Sequence, residues 1–349
     1  MQTVVYNTYG GPEVLQIKET QAPTPKNNEV LIKIYASTVS SGDWRARSLE
    51  LPPGFGVIGR LVFGVFGPRQ PVLGSDLAGE IVEIGKEVTK FGVGDHVIAY
   101  ASSSFGCHAE FKTMPQNGAI ALKPSNLSFE EAAGIPFGGI TALEFLKDMG
   151  NIQRGESVLV VGASGATGSS AVQLAAYFGA HVSAVCSGAN RELVMSLGAE
   201  HVIDYQKEDF TKNGKTYDII IDTTGTSPWQ RAKNSLTPTG RLLVVSGSLK
   251  DMLQAAFVSR KHGKKLISGV SIGSPEKLKF LVDLAREGNF KPLIDRVYPF
   301  ERAVKAHAYV DSGRKKGSVV LRIVPESCAS HTAHNISQSL FAFSQGKPK

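Results

Sequence analysis

The sequence predicts an α/β protein with two domains, a barrel-like β domain and a doubly wound parallel sheet. Short strand-like runs separated by Gly, Pro and Asp turns fill the first ~120 residues, as in a compact barrel. From Ser128 onward, strand and helix patterns alternate, which is typical of a parallel sheet covered by helices. With 349 residues, the chain is long enough for each domain to bury its own core.

The β domain is expected to begin at the first residue and to end near residue 124. A segment at residues 51–71 is rich in Gly, Pro and Phe, and it predicts an apolar loop or short helix that borders a pocket. The clearest strand patterns lie at residues 4–6, 30–34, 79–84 and 96–99.

The parallel-sheet domain is expected at residues 125–273. Ser128 is a good N-cap and is followed by Glu130 and Glu131, so a helix should begin there. Helices of about a dozen residues should separate most of the strands. The predicted strands lie at residues 158–161, 181–185, 201–203, 218–221, 241–245 and 265–270.

A smaller pattern follows at residues 274–325. It predicts a helix at 275–287, a strand at 294–298, a second helix at 301–311 and a second strand at 318–324. Residues 326–349 are rich in Ser, His, Asn and Gln, so they are expected to form a flexible tail.

Composition and targeting signals favour a soluble cytoplasmic protein. The chain is 42% hydrophobic and 20% charged, as ordinary globular proteins are. No stretch approaches the roughly 20 apolar residues that span a bilayer, and the first residues resemble a strand rather than a secretory signal. The three cysteines, Cys107, Cys186 and Cys328, are far apart and suggest neither a disulfide framework nor a paired-cysteine zinc site.

The chain carries a net charge of +7, concentrated in basic clusters at residues 260–265 and 314–316. Such clusters could bind nucleic acid. We favour solvated turns that also attract an anionic cofactor, because no RNA-binding motif or recognition helix accompanies the charge. Nucleic acid is therefore not an expected partner.

The strongest motif is a glycine turn between a strand pattern and a helix pattern. Four apolar residues at 158–161 predict a buried strand, and a helical run then extends to Phe178. Glycines at this spacing permit a tight turn and close approach of the backbone to a pyrophosphate, while the helix N-terminus offers free N–H groups. The residues expected to bind a dinucleotide here are Gly162, Ser164, Gly165, Ala166, Thr167 and Gly168.

The residues after the second strand of this domain favour NADPH over NADH. A protein specific for NAD places a carboxylate there to bind the ribose hydroxyl, and this strand ends without one. Ser187, Asn190 and Arg191 instead offer small or positive donors that suit a 2′-phosphate. Tyr205, after the third strand, is expected near the adenine.

Three further runs resemble the medium-chain dehydrogenase/reductase superfamily. They are ASTVSSGDW at residues 36–44, GSDLAGEIVEIG at 74–85 and FGVGDHV at 91–97, in which Gly and Asp recur at fixed offsets. With the glycine turn, the resemblance covers residues 1 to about 325. It implies a GroES-like β-barrel domain interrupted by a Rossmann domain, with residues 274–325 returning to the barrel and an active site in the cleft between the domains.

The resemblance is to the zinc-free quinone oxidoreductase branch, which includes the zeta-crystallin-like proteins. In zinc-dependent members of the superfamily, a metal-binding cysteine would fall at Ser40 and a histidine–glutamate pair at Ser75 and Asp76. Cys107 is the one cysteine where a four-cysteine structural lobe would lie. A tetrahedral site needs at least three suitable ligands, so no metal site is expected.

The resemblance implies NADPH-dependent hydride transfer to quinones or α,β-unsaturated carbonyl compounds. Without a metal to polarise oxygen, the acceptor must already be electron-poor. The branch places Ser40, Asp43 and Thr141 beside the nicotinamide as candidate catalytic residues. It places Ser246, Gly247, Val270 and Ser271 around the ribose and carboxamide of the cofactor.

The chain departs from the branch at two of these positions. Ser40 replaces a common Asn, which puts the hydrogen bond at the nicotinamide in question. Asn190 replaces a common Lys, which leaves Arg191 as the substitute partner for the 2′-phosphate. The branch also implies a homodimer formed along residues 267–272.

Two other functions remain open at this level. One is reduction of enoyl thioesters, with the Phe-rich segment at 51–71 forming an acyl channel and residues 314–316 binding the carrier. The other is a non-catalytic protein that retains NADPH as a structural ligand and binds RNA through its basic surface.

Overall fold

The N-terminal part of the chain forms most of a seven-stranded sheet in the computed structural model, which describes residues 1–261 and 263–324. A separate two-stranded hairpin precedes this sheet. The elements of this part are β1 (Gln2–Val5), β2 (Gln16–Glu19), β3 (Glu29–Val39), α1 (Ser41–Ser48), α2 (Gly56–Phe63), β4 (Asp76–Ile84), β5 (His96–Tyr100), β6 (Phe111–Pro115) and β7 (Ala119–Leu122).

The middle of the chain forms a six-stranded sheet in which every pair of neighbouring strands is parallel. Helices precede and separate its strands. The elements are α3 (Phe129–Ala133), α4 (Pro136–Leu143), β8 (Ser157–Val161), α5 (Ala166–Tyr177), β9 (His181–Cys186), α6 (Arg191–Ser196), β10 (His201–Asp204), β11 (Tyr217–Asp222), α7 (Trp229–Ala232), β12 (Leu236–Val244), α8 (Leu249–Lys261) and β13 (Lys265–Ser268).

The order of strands in the parallel sheet is β10-β9-β8-β11-β12-β13. The chain therefore runs outward from β8 to β10 and returns to place β11 on the other side of β8. Alternate residues of β8 enter different apolar clusters, with Val158 and Val160 on one face and Leu159 and Val161 on the other. The sheet is thus buried on both faces, and its switch point lies between β8 and β11, where ligands of such sheets bind.

The C-terminal segment completes the first sheet with α9 (Pro275–Arg286), β14 (Ile294–Pro299), α10 (Ala303–Asp311) and β15 (Ser318–Arg322). β15 pairs with β3 in antiparallel orientation and with β14 in parallel. A buried ion pair fixes this return, because Arg47 of α1 donates to both carboxylate oxygens of Asp311 at 2.6 and 2.7 Å. The active-site face of the barrel is therefore built from both ends of the chain.

Most predicted elements lie where the sequence places them. The helix expected at Ser128 is α3, in which Ser128 and Glu131 form a capping box. The predicted strand at residues 265–270 ends two residues early, because the N–H groups of Ile272 and Gly273 turn away to the Glu144 carboxylate. The Phe-rich segment at residues 51–71 contains α2.

The predicted tail at residues 326–349 lies outside the described residues. The domain boundaries near residues 124 and 273 remain predictions. Within the described part of the chain, no helix has the length and hydropathy needed to cross a membrane.

Candidate active site

A cavity of about 850 Å³ opens at the carboxyl ends of β8, β9 and β11. We call it the turn cavity, because the glycine turn forms its floor. The predicted cofactor-binding residues that line it are Gly162, Ser164, Gly165, Ala166, Thr167, Gly168, Ser187, Asn190 and Tyr205.

The backbone of the glycine turn is too close-packed for side chains. Gly162 has φ +80°, a conformation that favours glycine, and a Cβ on Gly168 would overlap the Gly162 carbonyl oxygen. Gly165 is the N-cap of α5. Because glycine has no side chain, it cannot accept a hydrogen bond from the first N–H groups of that helix. A pyrophosphate fits this bare helix N-terminus, because it would accept from those N–H groups and meet the positive end of the helix dipole.

The far end of the turn cavity is polar. Asn190 is 7% exposed, and its side-chain oxygen is buried without a hydrogen-bond partner. Tyr205 is 60% exposed at the rim. Arg191 does not line the cavity, because its guanidinium donates to the Val202 carbonyl at 2.9 Å. The proposed contact of Arg191 with a 2′-phosphate stays a prediction, which requires the side chain to leave Val202.

Three cations that the cofactor prediction did not include also line the turn cavity, namely Arg314, Lys315 and Lys316. The loop that carries them is held against the glycine turn, because the Gly317 N–H donates to the Ser164 carbonyl at 2.8 Å. Burial lowers the pKa of Lys315 to about 8, and its ammonium donates to the Gly317 carbonyl. The carboxylate in the lining, that of Asp311, is already paired with Arg47.

A second cavity of about 480 Å³ lies beneath α2, and we call it the roof cavity. Its lining is largely apolar. The polar groups in the lining include the hydroxyls of Ser75, Tyr100, Thr141 and Ser246. Ser41, Phe137, Thr167 and Thr223 line both cavities, so the two spaces adjoin.

The structure brings the predicted nicotinamide-side residues to the roof cavity. Thr141, Ser246, Gly247, Val270 and Ser271 all line it. Thr141 donates its hydroxyl proton to the Phe137 carbonyl at 2.7 Å, which leaves the oxygen as an acceptor toward the cavity. Phe55, Ile58 and Phe63 of the segment at residues 51–71 form the apolar roof, as expected of a segment bordering a pocket.

Ser40 and Asp43 line neither cavity, in contrast to their predicted place beside the nicotinamide. They form the capping box of α1, in which one Asp43 oxygen accepts from both the N–H and the hydroxyl of Ser40. The other Asp43 oxygen accepts from the Gly74 N–H at 2.7 Å. The adjacent Ser41 and Gly42 line the roof cavity instead.

Asp76 is a buried carboxyl directly behind the roof cavity. It accepts from the Thr38 hydroxyl at 2.5 Å and from the Ser75 hydroxyl at 3.3 Å, and Ser75 itself lines the cavity. Burial, reinforced by the charge of Asp43, raises the pKa of Asp76 to about 8. The carboxyl is therefore largely protonated at neutral pH.

Glu144 fixes the loop that carries Val270 and Ser271. It begins a π-helical turn, Glu144–Met149, and accepts from the N–H groups of Ile272 and Gly273. The Lys277 ammonium lies 2.6 Å from the carboxylate. Burial alone would raise the pKa of Glu144, but Lys277 and the Gly273 N–H hold it below its usual value.

The donor set around the cavities does not resemble a zinc site. Across residues 1–261 and 263–324, no three His, Cys, Asp or Glu side chains are grouped so that they could hold a metal ion.

Sequence reasoning missed several lining residues. Thr223 and Thr224 directly follow β11, so the rule that ligands bind at the carboxyl ends of parallel strands could have identified them. Arg45 and Ser102 gave no local signal. Lys315 belongs to a basic cluster that the sequence already linked to an anionic cofactor, but the sequence did not indicate its place beside the glycine turn.

Comparison with protein families places the two halves of the chain in one superfamily. Residues 26–148 match the alcohol dehydrogenase GroES-like domain, and residues 197–321 match the zinc-binding dehydrogenase family. A chloroplast envelope quinone oxidoreductase homolog of Arabidopsis thaliana is 32% identical over 92% of this chain and 98% of its own length. The chain belongs to the medium-chain dehydrogenase/reductase superfamily.

Relatives within this superfamily share the NAD(P)-dependent oxidoreductase framework. An NADPH-dependent alkenal/one oxidoreductase of Arabidopsis thaliana is 30% identical over 93% of this chain and 80% of its own length. The structure of the quinone oxidoreductase from Coxiella burnetii has a TM-score of 0.82 and 28% identity, covering 93% of this chain and 99% of that one. The predicted GroES-like and Rossmann fold class is therefore confirmed.

The expectation of a cytoplasmic protein is wrong. The first Arabidopsis relative is named for the chloroplast envelope and the second as chloroplastic. An NAD(P)H oxidoreductase of Mus musculus, 31% identical over 93% of this chain, is named as mitochondrial. The names of these relatives therefore do not support a cytoplasmic location for this chain.

Replacing Asp76 by Asn should change how stability depends on pH. The folded chain holds the Asp76 proton up to about pH 8, whereas the unfolded chain releases it near pH 4. The stability that this proton contributes is complete below pH 4 and is lost as pH rises toward 8, by at most about 1.4 kcal/mol per pH unit. Asp76→Asn should remove this loss, so the free energy of unfolding of the variant, relative to that of the unaltered chain, should rise steadily from pH 5 to 8.

Urea unfolding at pH 5, 6, 7 and 8 measures this difference. Glu19→Gln, on the exposed strand β2, serves as the control and should retain the pH slope of the unaltered chain. Parallel stability curves for Asp76→Asn and the unaltered chain would show that Asp76 is ionised in the fold.

Proposed function

We propose that this chain is an NADPH-dependent, zinc-independent oxidoreductase that reduces quinones or α,β-unsaturated carbonyl compounds. The observation that carries the proposal is the junction of the two cavities. A dinucleotide bound on the glycine turn would extend past Thr167 and Thr223 into the roof cavity, where an apolar acceptor fits. The names of the quinone and alkenal/one oxidoreductase relatives support the same reaction class.

The residues of the roof cavity suit an acceptor that is already electron-poor. When bound, NADPH supplies the hydride, so the chain itself has only to align the acceptor and exclude water. The apolar side chains of α2 cover the acceptor, while the Ser246 hydroxyl can donate a hydrogen bond to its carbonyl oxygen. No carboxylate lines the described part of this cavity, so we infer that the final proton comes from water.

The preference for NADPH rests on the charge around the turn cavity. Ser187 and Asn190 stand where an NAD-specific enzyme would place a carboxylate, and the loop at residues 314–316 adds three cations. A 2′-phosphate adds about two negative charges that these groups can bind. We infer that this loop, rather than Arg191 alone, determines the choice of cofactor.

The basic loop at residues 314–316 supports neither the reduction of enoyl thioesters nor RNA binding, the two other functions that the sequence left open. This loop lines the turn cavity, so its charge has a use in dinucleotide binding. An acyl-carrier protein or RNA would have to compete for the same side chains.

We also propose a homodimer formed along the free edge of the parallel sheet. β13 is the last strand of that sheet, and beyond it Val270 and Ile272 are 71% and 74% exposed. Pairing of two such edges would satisfy the open backbone groups and cover these apolar side chains.

The purified chain should oxidise NADPH in the presence of electron-poor acceptors. We expect loss of absorbance at the NADPH band with 1,4-naphthoquinone, 9,10-phenanthrenequinone or 1-octen-3-one. The saturated 3-octanone and 1-octanol with NADP⁺ are matched controls that should give no turnover, because the described side chains include no group that could hold a metal to polarise a simple oxygen. Inactivity with every quinone and enone, or activity that requires added zinc, would contradict the proposal.

Neutralising the basic loop should weaken NADPH binding more than NADH binding. Lys315→Gln and Arg314→Gln are each expected to cost about 1.5–3 kcal/mol of NADPH affinity, as for a charge-assisted hydrogen bond. Because the pKa of Lys315 is about 8, NADPH affinity should also fall above that pH, and Lys315→Gln should flatten this dependence. Fluorescence titration of both cofactors at pH 6.5 to 9 measures these effects.

Two further variants serve as a control for the cofactor titration and as a test of the alternative assignment. Lys305→Gln, on the outer face of α10, is a charge-matched control that should leave both affinities unchanged. Arg191→Gln tests the alternative, since a loss confined to this variant would assign the 2′-phosphate to Arg191 and overturn the assignment to the loop.

A charge at the sheet edge should separate the proposed dimer. Ile272→Lys should shift the molar mass measured by light scattering from two chains toward one. Val93→Lys, at a side chain that is 63% exposed in a distant turn, is the control and should stay dimeric. A monomeric unaltered chain would refute the dimer without affecting the proposed reaction.

A further inference from the structure

One charged side chain, Arg45, lies in the lining of the otherwise neutral roof cavity. It projects from α1, next to Ser41 and Gly42, which line the same space. Among the described residues of this lining, no other Lys, Arg, Asp or Glu is present. The cation therefore faces the space where the proposed function puts the acceptor.

Arg45 is partly buried, and its guanidinium lacks the partners that the buried Arg47 has. Its Nε is buried without a hydrogen-bond partner, and no described carboxylate lies within salt-bridge distance of it. Its guanidinium instead lies 6.0 Å from the centre of the Trp44 ring. The Nε of Arg47, two residues along α1, also has no partner, but its terminal nitrogens donate to both Asp311 oxygens and to the Gly10 carbonyl.

An unpaired cation at this place is costly for the folded chain. Burial lowers the pKa of Arg45, yet a guanidinium remains charged at neutral pH. A partly buried charge without a partner forfeits hydration that no protein group replaces. An anionic ligand would restore that loss, and the hydroxyls of Ser102 and Ser103 in the same lining could assist it.

We propose that Arg45 binds a carboxylate carried by the acceptor. The guanidinium fork matches a carboxylate with two parallel hydrogen bonds, which a neutral carbonyl cannot equal. The preferred acceptor class is then an enone or quinone that bears a carboxylate beside its electron-poor carbon skeleton. This inference rests on the proposed function, since it places the acceptor in the roof cavity.

A matched pair of acceptors tests the specificity. trans-4-Oxo-2-pentenoate and trans-3-hexene-2,5-dione have similar size and differ by a carboxylate in place of an acetyl group. Arg45→Met should raise KM for the oxo acid about tenfold or more, the range expected for one charge-assisted pair, and should change kcat/KM for the dione less than about twofold. Arg45→Lys keeps the charge without the fork and should recover part of the loss.

A binding measurement separates this site from turnover. Levulinate and 2,5-hexanedione are the saturated counterparts and cannot be reduced at a double bond. Calorimetric titration of the NADP⁺-loaded protein should show levulinate binding that Arg45→Met loses and Arg60→Met retains. Arg60 is the control because it lies on α2 near the same cavity, does not line it, and stacks on Tyr9.

The outcomes distinguish the inference from the function that it extends. Equal losses for the oxo acid and the dione in Arg45→Met, or no loss for either, would overturn the carboxylate site while the reductase activity stands. Levulinate binding that depends on Arg45, without reduction of any acceptor, would support the site and refute the reductase. Thermal unfolding of each variant establishes that the folded state is retained.

Discussion

The close approach of three backbone segments around the glycine turn determines the geometry of the whole cleft. A Cβ on Gly168 would overlap the Gly162 carbonyl, and one on Gly138 of α4 would lie 2.6 Å from the Ala166 carbonyl. α4 and α5 therefore pack at a distance that only glycine allows. Because α4 carries Phe137 and Thr141, this contact sets the distance between the phosphate-binding turn and the roof cavity.

The parts of the site that sequence reasoning identified are those encoded by consecutive residues. A buried strand, three glycines and a helix define the turn at residues 158–168 without reference to the rest of the chain. The strand and helix periods likewise predicted the six parallel strands. The basic loop could not be assigned in this way, because it meets the glycine turn through a contact between Gly317 and Ser164, which are some 150 residues apart in the sequence.

The structure gives Ser40 and Asp43 a local role at the start of α1, and their place beside the nicotinamide stays a prediction. Ser40 and Asp43 are chemically capable of catalysis, but a serine followed three residues later by an acid is also the pattern of a helix N-terminus. The structure shows the second use, since their hydrogen-bonding groups are satisfied within the turn. The guanidinium of Arg191 likewise has a partner within the fold, the Val202 carbonyl of β10, and its contact with a 2′-phosphate stays a prediction.

In this cleft, structural residues differ from candidate ligand-binding residues in whether the fold neutralises or pairs their buried charge. Asp43 receives three hydrogen bonds, Arg47 has Asp311, and Asp76 retains its proton. Each arrangement avoids an uncompensated charge, whose cost would exceed what one side chain contributes to packing. Arg45 is the exception among these charged groups, and it lies in a cavity wall. The neutral side-chain oxygen of Asn190 also has no partner, and Asn190 lies in the wall of the turn cavity. Unsatisfied groups at such positions are explained if ligands complete their hydrogen bonding, one in each cavity.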